Sequence, residues 1–303
     1  MNPAVKPTDQ AQTLRALHRR APEARPRSVD LPAPRVFAVT SGKGGVGKTA
    51  LVSHLAVVLA RMGKKVLVID ADLGLANIDV ILGLAPEYTL NHFFSGERSL
   101  SEIMVEGPEG IKVLPAGSGI QQLAHLDADQ KLRFINEFDS LHDEVEIVLI
   151  DTEAGISENV TFFTSAAHEV LVVTSPEPTS ITDAYALMKL LAMQYHQRSF
   201  HLVVNQAADS NEGLDVYKKL TVVANRYLDI SIDYLGALPS DKRMREAVRK
   251  QKTMLEFCPE SKLNAGIESL AQGLIASPVS QASRGTMQFF WQRFLGMEFE
   301  GGR

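Results

Sequence analysis

The chain has a single cysteine, Cys258, among 303 residues. An intrachain disulfide is therefore excluded, and an iron–sulfur cluster, which needs at least two thiolates per chain, has no support. So little cysteine fits a reducing compartment such as the cytoplasm. No apolar run approaches the length of about 18 residues needed to cross a bilayer, and the first residues contain no continuous apolar segment of the secretory type. An excess of basic charge is also lacking: the net value of −5 argues against wholesale coating of nucleic acid while leaving room for a local basic patch. Histidines 54, 92, 125, 142, 168, 196 and 201 fall in no ligand spacing and read as structural. Within these bounds, 45% hydrophobic and 22% charged residues are ordinary for a soluble globular protein, and the length holds one large α/β domain with appendages.

What is present is concentrated in Thr40-Ser41-Gly42-Lys43-Gly44-Gly45-Val46-Gly47-Lys48-Thr49, which satisfies G-x-x-x-x-G-K-[ST] from Gly42 to Thr49. Glycines let successive backbone N–H groups turn inward around a polyphosphate, where a side chain would block the approach. Lys48 reaches the β and γ phosphates, Thr49 offers its hydroxyl to Mg²⁺, and the loop runs on through Ala50. A chance glycine-rich turn would carry the same letters, but the context argues otherwise. Val36–Val39 reads as a buried strand before the loop. Leu51, Leu55, Val58 and Leu59 follow it at helical spacing, so the loop opens a helix whose N-terminus favours an anion.

Further apolar strands are expected at residues 64–70, 111–115, 146–151, 170–174, 201–205 and 235–239. Helical spacing lies between several of them, as at 127–138 and 180–191, the latter with Ser180 or Thr182 as its cap. The pattern predicts a doubly wound, mostly parallel sheet flanked by helices. Two strands end in acid, Asp70 (followed by Asp72) and Asp151. Carboxylates at strand ends beside a phosphate loop lie where Mg²⁺ and an attacking water are placed. Glu153 follows Asp151 closely, either weakening nucleotide binding or pointing away. The run Arg243, Arg245, Arg249, Lys250 and Lys252 reads as a solvated helix face, with a weak nucleic-acid or lipid contact as the alternative.

The two ends of the chain have a different character. Residues 1–34 hold a short helical stretch, Asp9 to Leu17, followed by Pro22, Pro26, Pro32 and Pro34 interleaved with arginines. Composition alone reads this as an unstructured start or as a docking peptide on a tether. Residues 276–303 form a hinge and then an aromatic-rich helix. Met287, Phe290, Trp291, Phe294 and Leu295 share one face, opposite Gln292 and Arg293, which suits a bilayer interface or packing on the domain or at a dimer interface. Residues 35–275 form the domain between.

The second loop lysine, Lys43, makes Lys-Gly-Gly-Val-Gly-Lys-Thr, which resembles the deviant phosphate loop of the MinD/ParA family of dimerising ATPases. The resemblance implies a P-loop NTPase fold of the MinD (SIMIBI) type, ATP/ADP and Mg²⁺ as cofactors, and an ATP-dependent homodimer in which Lys43 crosses to the partner's phosphates. It makes Lys43, Lys48 and Asp72 catalytic, with Asp72 acting on the water. Thr49 holds the metal, supported through its outer shell by Asp70 and Asp151. Asp70, Asp72, Asn77, Asp151 and Gly155 fall in the two switch segments, and Asn205, Pro239 and Asp241 bound the base, although Asn205 also reads as a strand-terminal turn residue. Ala76 stands where division-site MinD carries arginine. Asp9-Gln10-Ala11 with Leu14 and Arg15 resembles the N-terminal motif of the FlhG/FleN branch, regulators of flagellar number. There it binds the GTPase FlhF and stimulates GTP hydrolysis, with Gln10 the natural contributor. That branch implies a slow ATPase switch controlling flagellar number or placement. Such a switch is cytoplasmic and, when ATP-bound, peripheral on the inner membrane face through the C-terminal helix. A flagellar switch-ring protein or transcription activator would be a further partner. The other readings are a ParA-type DNA-partitioning ATPase, a regulator that sequesters a flagellar transcription activator, and, with least support, a metabolic enzyme of the dethiobiotin-synthetase kind.

Overall fold

A computed structural model describes residues 34–72, 77–115, 128–139, 141 and 144–277. The N-terminal motif at Asp9–Arg15, part of the first switch (Leu73–Ala76) and the aromatic helix expected at 287–295 lie outside the described residues.

Eight strands form one sheet: β1 (Arg35–Ser41), β2 (Val66–Ala71), β3 (Val105–Glu106), β4 (Lys112–Pro115), β5 (Ile147–Ala154), β6 (Glu169–Thr174), β7 (Ser199–Ala207) and β8 (Ser231–Pro239). Their spatial order is β3-β4-β2-β5-β1-β6-β7-β8, parallel throughout except for the two-residue edge strand β3, which runs antiparallel to β4. The helices are α1 (Lys48–Arg61), α2 (Ile78–Leu82), α3 (Leu90–Phe94), α4 (Leu100–Ile103), α5 (Ala128–Asp139), α6 (Glu158–Ala166), α7 (Pro178–Tyr195), α8 (Ser210–Tyr227), α9 (Met244–Arg249), α10 (Met254–Phe257) and α11 (Lys262–Ala276).

The central strands carry near-continuous apolar runs, with polar residues toward their ends, because helices cover both faces. Alternation divides each strand between two layers. Phe37, Val39, Val66, Val68 and Leu149 face α1 and α11, where they meet Leu55, Leu59, Ile267 and Leu270. Val36, Ala38, Leu67, Ile69 and Val148 face the opposite layer, which Phe93, Phe134, Phe138 and Phe163 fill. Val170, Val172, Leu202 and Val204 extend that layer against Leu187, Leu191, Val216 and Leu220. Each fully buried aliphatic or phenyl side chain contributes about 1.5–3 kcal/mol.

At the amino ends of the strands a charged cluster joins the first strand to the last helix. Arg35 forms a two-pronged ion pair with the buried Glu169 at 2.8 and 2.7 Å, and its Nη1 donates to the carbonyl of Leu274 near the end of α11 at 2.9 Å. His201 Nε2 lies 3.0 Å from the same carboxylate. Burial opposes the charge on Glu169, but the hydrogen bonds from His201 and Arg35 outweigh it and hold its carboxyl below the usual range.

The start of α7 differs from expectation. It begins at Pro178, with Glu177 as the flanking residue and no side-chain cap. Ser180 is buried, its oxygen accepting from Ser175 N (3.1 Å) and sharing a hydrogen bond with the Thr174 hydroxyl (2.9 Å). Thr182 bonds back to the Pro178 carbonyl at 3.0 Å. Both proposed caps are thus inside the helix, and proline needs no N–H partner in the first turn.

Candidate functional site

The carboxyl ends of the central strands bring the described residues of the predicted nucleotide and metal sets to one edge of the sheet, where doubly wound folds bind their ligands. The loop from Gly42 to Gly47 joins β1 to α1. Gly42 abuts the backbone of α7: a Cβ there would lie 2.2 Å from the Asp183 carbonyl carbon. Gly47 has φ +85°, and a Cβ would meet Asn205 Nδ2 at 2.5 Å. Gly155 N donates to the Ser41 carbonyl at 2.8 Å, which ties the second switch to the loop.

Lys48 is buried. Its ammonium donates to Asp151 Oδ1 at 2.7 Å and to the Thr152 carbonyl. Asp151 pairs in register with both Val39 of β1 and Asp70 of β2, so the two carboxylates are ladder neighbours. Burial pushes the Asp151 carboxyl up, and the Lys48 charge opposes that. Burial, and then the charge of Asp151, push Asp70 up to about 7, against N–H donors from Asp72, Asn77 and Ile78. Asp72 is half-buried beyond β2 and Asn77 immediately precedes α2.

The donor set fits Mg²⁺. Asp151 Oδ2 is buried with no hydrogen-bond partner among the described residues, and Thr49 follows Lys48 on the first turn of α1. A polar atom left over at such a place suits the water shell of a cation held by Thr49 and phosphate oxygens.

Lys43 points elsewhere. Its ammonium is partly exposed and bonds Glu177 Oε2 at 2.6 Å and Thr179 Oγ1 at 3.0 Å, at the start of α7. Sequence reading missed both partners, for they stand more than 130 residues away with no motif to mark them. Glu153, left open by the sequence, accepts from the Ser157 hydroxyl at 2.7 Å, and Ser157 in turn caps α6.

A cleft of 540 Å³ adjoins the loop, bounded by Gly47, Ala50, Asn205, Pro239, Asp241 and Ile267 among others. Asn205 Nδ2 donates to the Val46 carbonyl at 2.8 Å. The Arg243 guanidinium grips both oxygens of Asp241, at 2.9 and 2.6 Å, and Ser261 adds a third bond, so that carboxyl lies well below the usual range. The basic run near α9 is solvated and largely answered by acid, with Lys250 on Glu246 and Lys252 on Glu256. Beneath the cleft, buried His54 on α1 accepts from Met254 N at 2.8 Å through Nε2. Its Nδ1 must therefore carry the proton it shares with the Ala50 carbonyl at 2.6 Å.

Residues 33–275 match the ParA family model, described as NUBPL iron-transfer P-loop NTPase. The chain belongs to the MinD/ParA family. It is an ATPase with ATP, ADP and Mg²⁺ as its cofactors. The iron transfer in that description is said of the family model; this member has one cysteine. The chain is 42% identical over 261 residues to the antiactivator FleN of Pseudomonas aeruginosa, spanning 86% of this chain and 93% of that protein. It is 33% identical over 267 residues to the flagellum site-determining protein YlxH of Helicobacter pylori, spanning 86% and 90%. Among solved structures, the MinC:MinD cell division complex of Aquifex aeolicus superposes with a TM-score of 0.63 at 26% identity, covering 81% of this chain and 97% of that one. Among the described residues no helix is long and apolar enough to cross a membrane.

Proposed function

We propose that this MinD/ParA ATPase is a slow nucleotide switch for flagellar number and placement. ATP joins two copies across their phosphate loops, and the dimer binds the inner membrane face through the C-terminal helix around Met287–Leu295. The N-terminal Asp9-Gln10-Ala11-x-x-Leu14-Arg15 motif stimulates an FlhF-type GTPase. In this reading Thr49, backed by Asp70 and Asp151, would hold Mg²⁺, which would supply neutralising charge to the phosphates; Lys48 would leave Asp151 for the β and γ phosphates, and Asp72 would orient the attacking water. Residues 1–34, 35–275 and 276–303 act as docking arm, ATPase and membrane tether.

The observation that carries the proposal is Lys43. Part of the loop yet turned away from its own phosphate site, it stands at the rim on Glu177 and Thr179. An exposed ion pair of this kind holds a side chain by only about 0.2–1 kcal/mol, so a second copy can claim it. The likeness to FleN and YlxH supports the flagellar assignment.

Liposome flotation tests the cycle. The full chain and a truncation ending at Ser283 are each run with ADP, and with ATP on an Asp72→Ala background. Only the full chain with ATP should float. An ATP dimer that stays at the bottom would make the tail a packing or partner element. The name of the Pseudomonas aeruginosa relative, an antiactivator, favours a second activity, sequestration of a flagellar transcription activator. ATP-dependent co-purification with such an activator, kept in the Ser283 truncation, would establish that role. ParA-type movement on DNA predicts salt-sensitive, ATP-dependent binding of nonspecific duplex.

A further inference from the structure

Gln206 follows Asn205 near the end of β7 and holds φ at 60°, in the left-handed region. Glutamine gains nothing locally from that conformation, unlike glycine or asparagine. Such a residue persists only where its surroundings over-determine it, and these places cluster at ligand sites. Here the turn does two things. Gln206 N donates to Asn205 Oδ1 at 2.9 Å, which fixes the Asn205 amide with its nitrogen on the Val46 carbonyl at 2.8 Å. The Gln206 side chain then reaches back, and Nε2 donates to the Gly45 carbonyl at 3.2 Å.

Two consecutive carbonyls of the phosphate loop are therefore held from outside by two consecutive side-chain amides. An anion-binding loop must aim its N–H groups inward, so its carbonyls face outward and need donors of their own. We propose that Gln206 is a positioning residue of the phosphate loop: with Asn205 it forms an amide strap that keeps the Gly45 and Val46 carbonyls turned away from the phosphates. Because Asn205 and Gln206 also line the 540 Å³ cleft, the strap couples filling of that cleft to the shape of the loop.

The full chain is compared with Gln206→Met, which keeps the reach without the donor, and Gln206→Gly, which also relieves the backbone. Affinity for N-methylanthraniloyl-ATP with Mg²⁺ is read by fluorescence titration, and Tm is read without nucleotide. Loss of one hydrogen bond predicts roughly 3- to 10-fold weaker binding in both variants, with the Tm of Gln206→Gly at or above that of the parent. Unchanged affinity in Gln206→Gly would overturn the proposal. So would weaker binding that always travels with a lower Tm, since that marks a merely structural residue. Binding by the parent chain tests the nucleotide site itself, and only the difference between variants tests Gln206.

Discussion

His54 makes the stability of the domain depend on pH in a calculable way. The ring is fully buried on α1, neutral, and spends both nitrogens on backbone, the Ala50 carbonyl and Met254 N–H. Burial lowers its pKa from the usual 6.5, with the Ala50 hydrogen bond acting in the other direction. An unfolded chain therefore binds the proton more readily than the folded one. The stability contributed by His54 is whole above pH 6.5 and is lost as the pH falls toward its folded value. At one unit below 6.5 the loss reaches up to about 1.4 kcal/mol. In His54→Leu the Met254 N–H is left buried without an acceptor, which costs about 1–3 kcal/mol at neutral pH, but the titration is gone. Urea unfolding of parent and variant at pH 7.5 and pH 5.5 should show the gap between them narrowing in acid by about 1 kcal/mol. Parallel losses in both proteins would refute the assignment of a neutral, doubly bonded ring.

Arg35→Ala should destabilise the fold by about 3–5 kcal/mol in urea, because it strands the buried Glu169 carboxylate; Arg35→Ala with Glu169→Gln should recover much of that. Gly42→Ala drives a methyl into the α7 backbone at Asp183 and should weaken nucleotide binding by about 10-fold or more in the same titration. Glu153→Ala removes a contact with Ser157 and should change stability by no more than about 1 kcal/mol while leaving nucleotide affinity within about two-fold.

The parts of the site that were legible in the sequence are those in which chemistry and local geometry coincide. Glycines at fixed offsets before Lys48, and aspartates ending the apolar strands β2 and β5, can be read because strand, loop and helix are adjacent in the chain. Gly42–Thr49, Asp70, Asp151, Asn205 and Pro239 do meet at one edge of the sheet. What was hidden depends on tertiary neighbours. Nothing near Glu177 announces Lys43, and Gln206 is an ordinary residue until its φ is known. Strand β3 is two residues long, too short for any alternation. Helix α4 did carry a signal, since Ser99 and Glu102 form a reciprocal cap at S-x-x-E spacing. The α7 caps misled because Ser180 and Thr182 serve their hydroxyls to buried and helical backbone instead.

Arg35 has a mechanical consequence. One guanidinium fastens the entry of β1 to the Glu169 carboxylate and to the last turn of α11. The start of β1 and the end of α11 are thereby the two sides of a stitched seam, at the edge of the sheet away from the phosphate loop. A pull on either segment loads this seam before it reaches the nucleotide. A load entering at the start of β1 or at the end of α11 is thus met by this ion pair and spread across β1, β6 and α11, at the opposite end of the strands from Asp70 and Asp151.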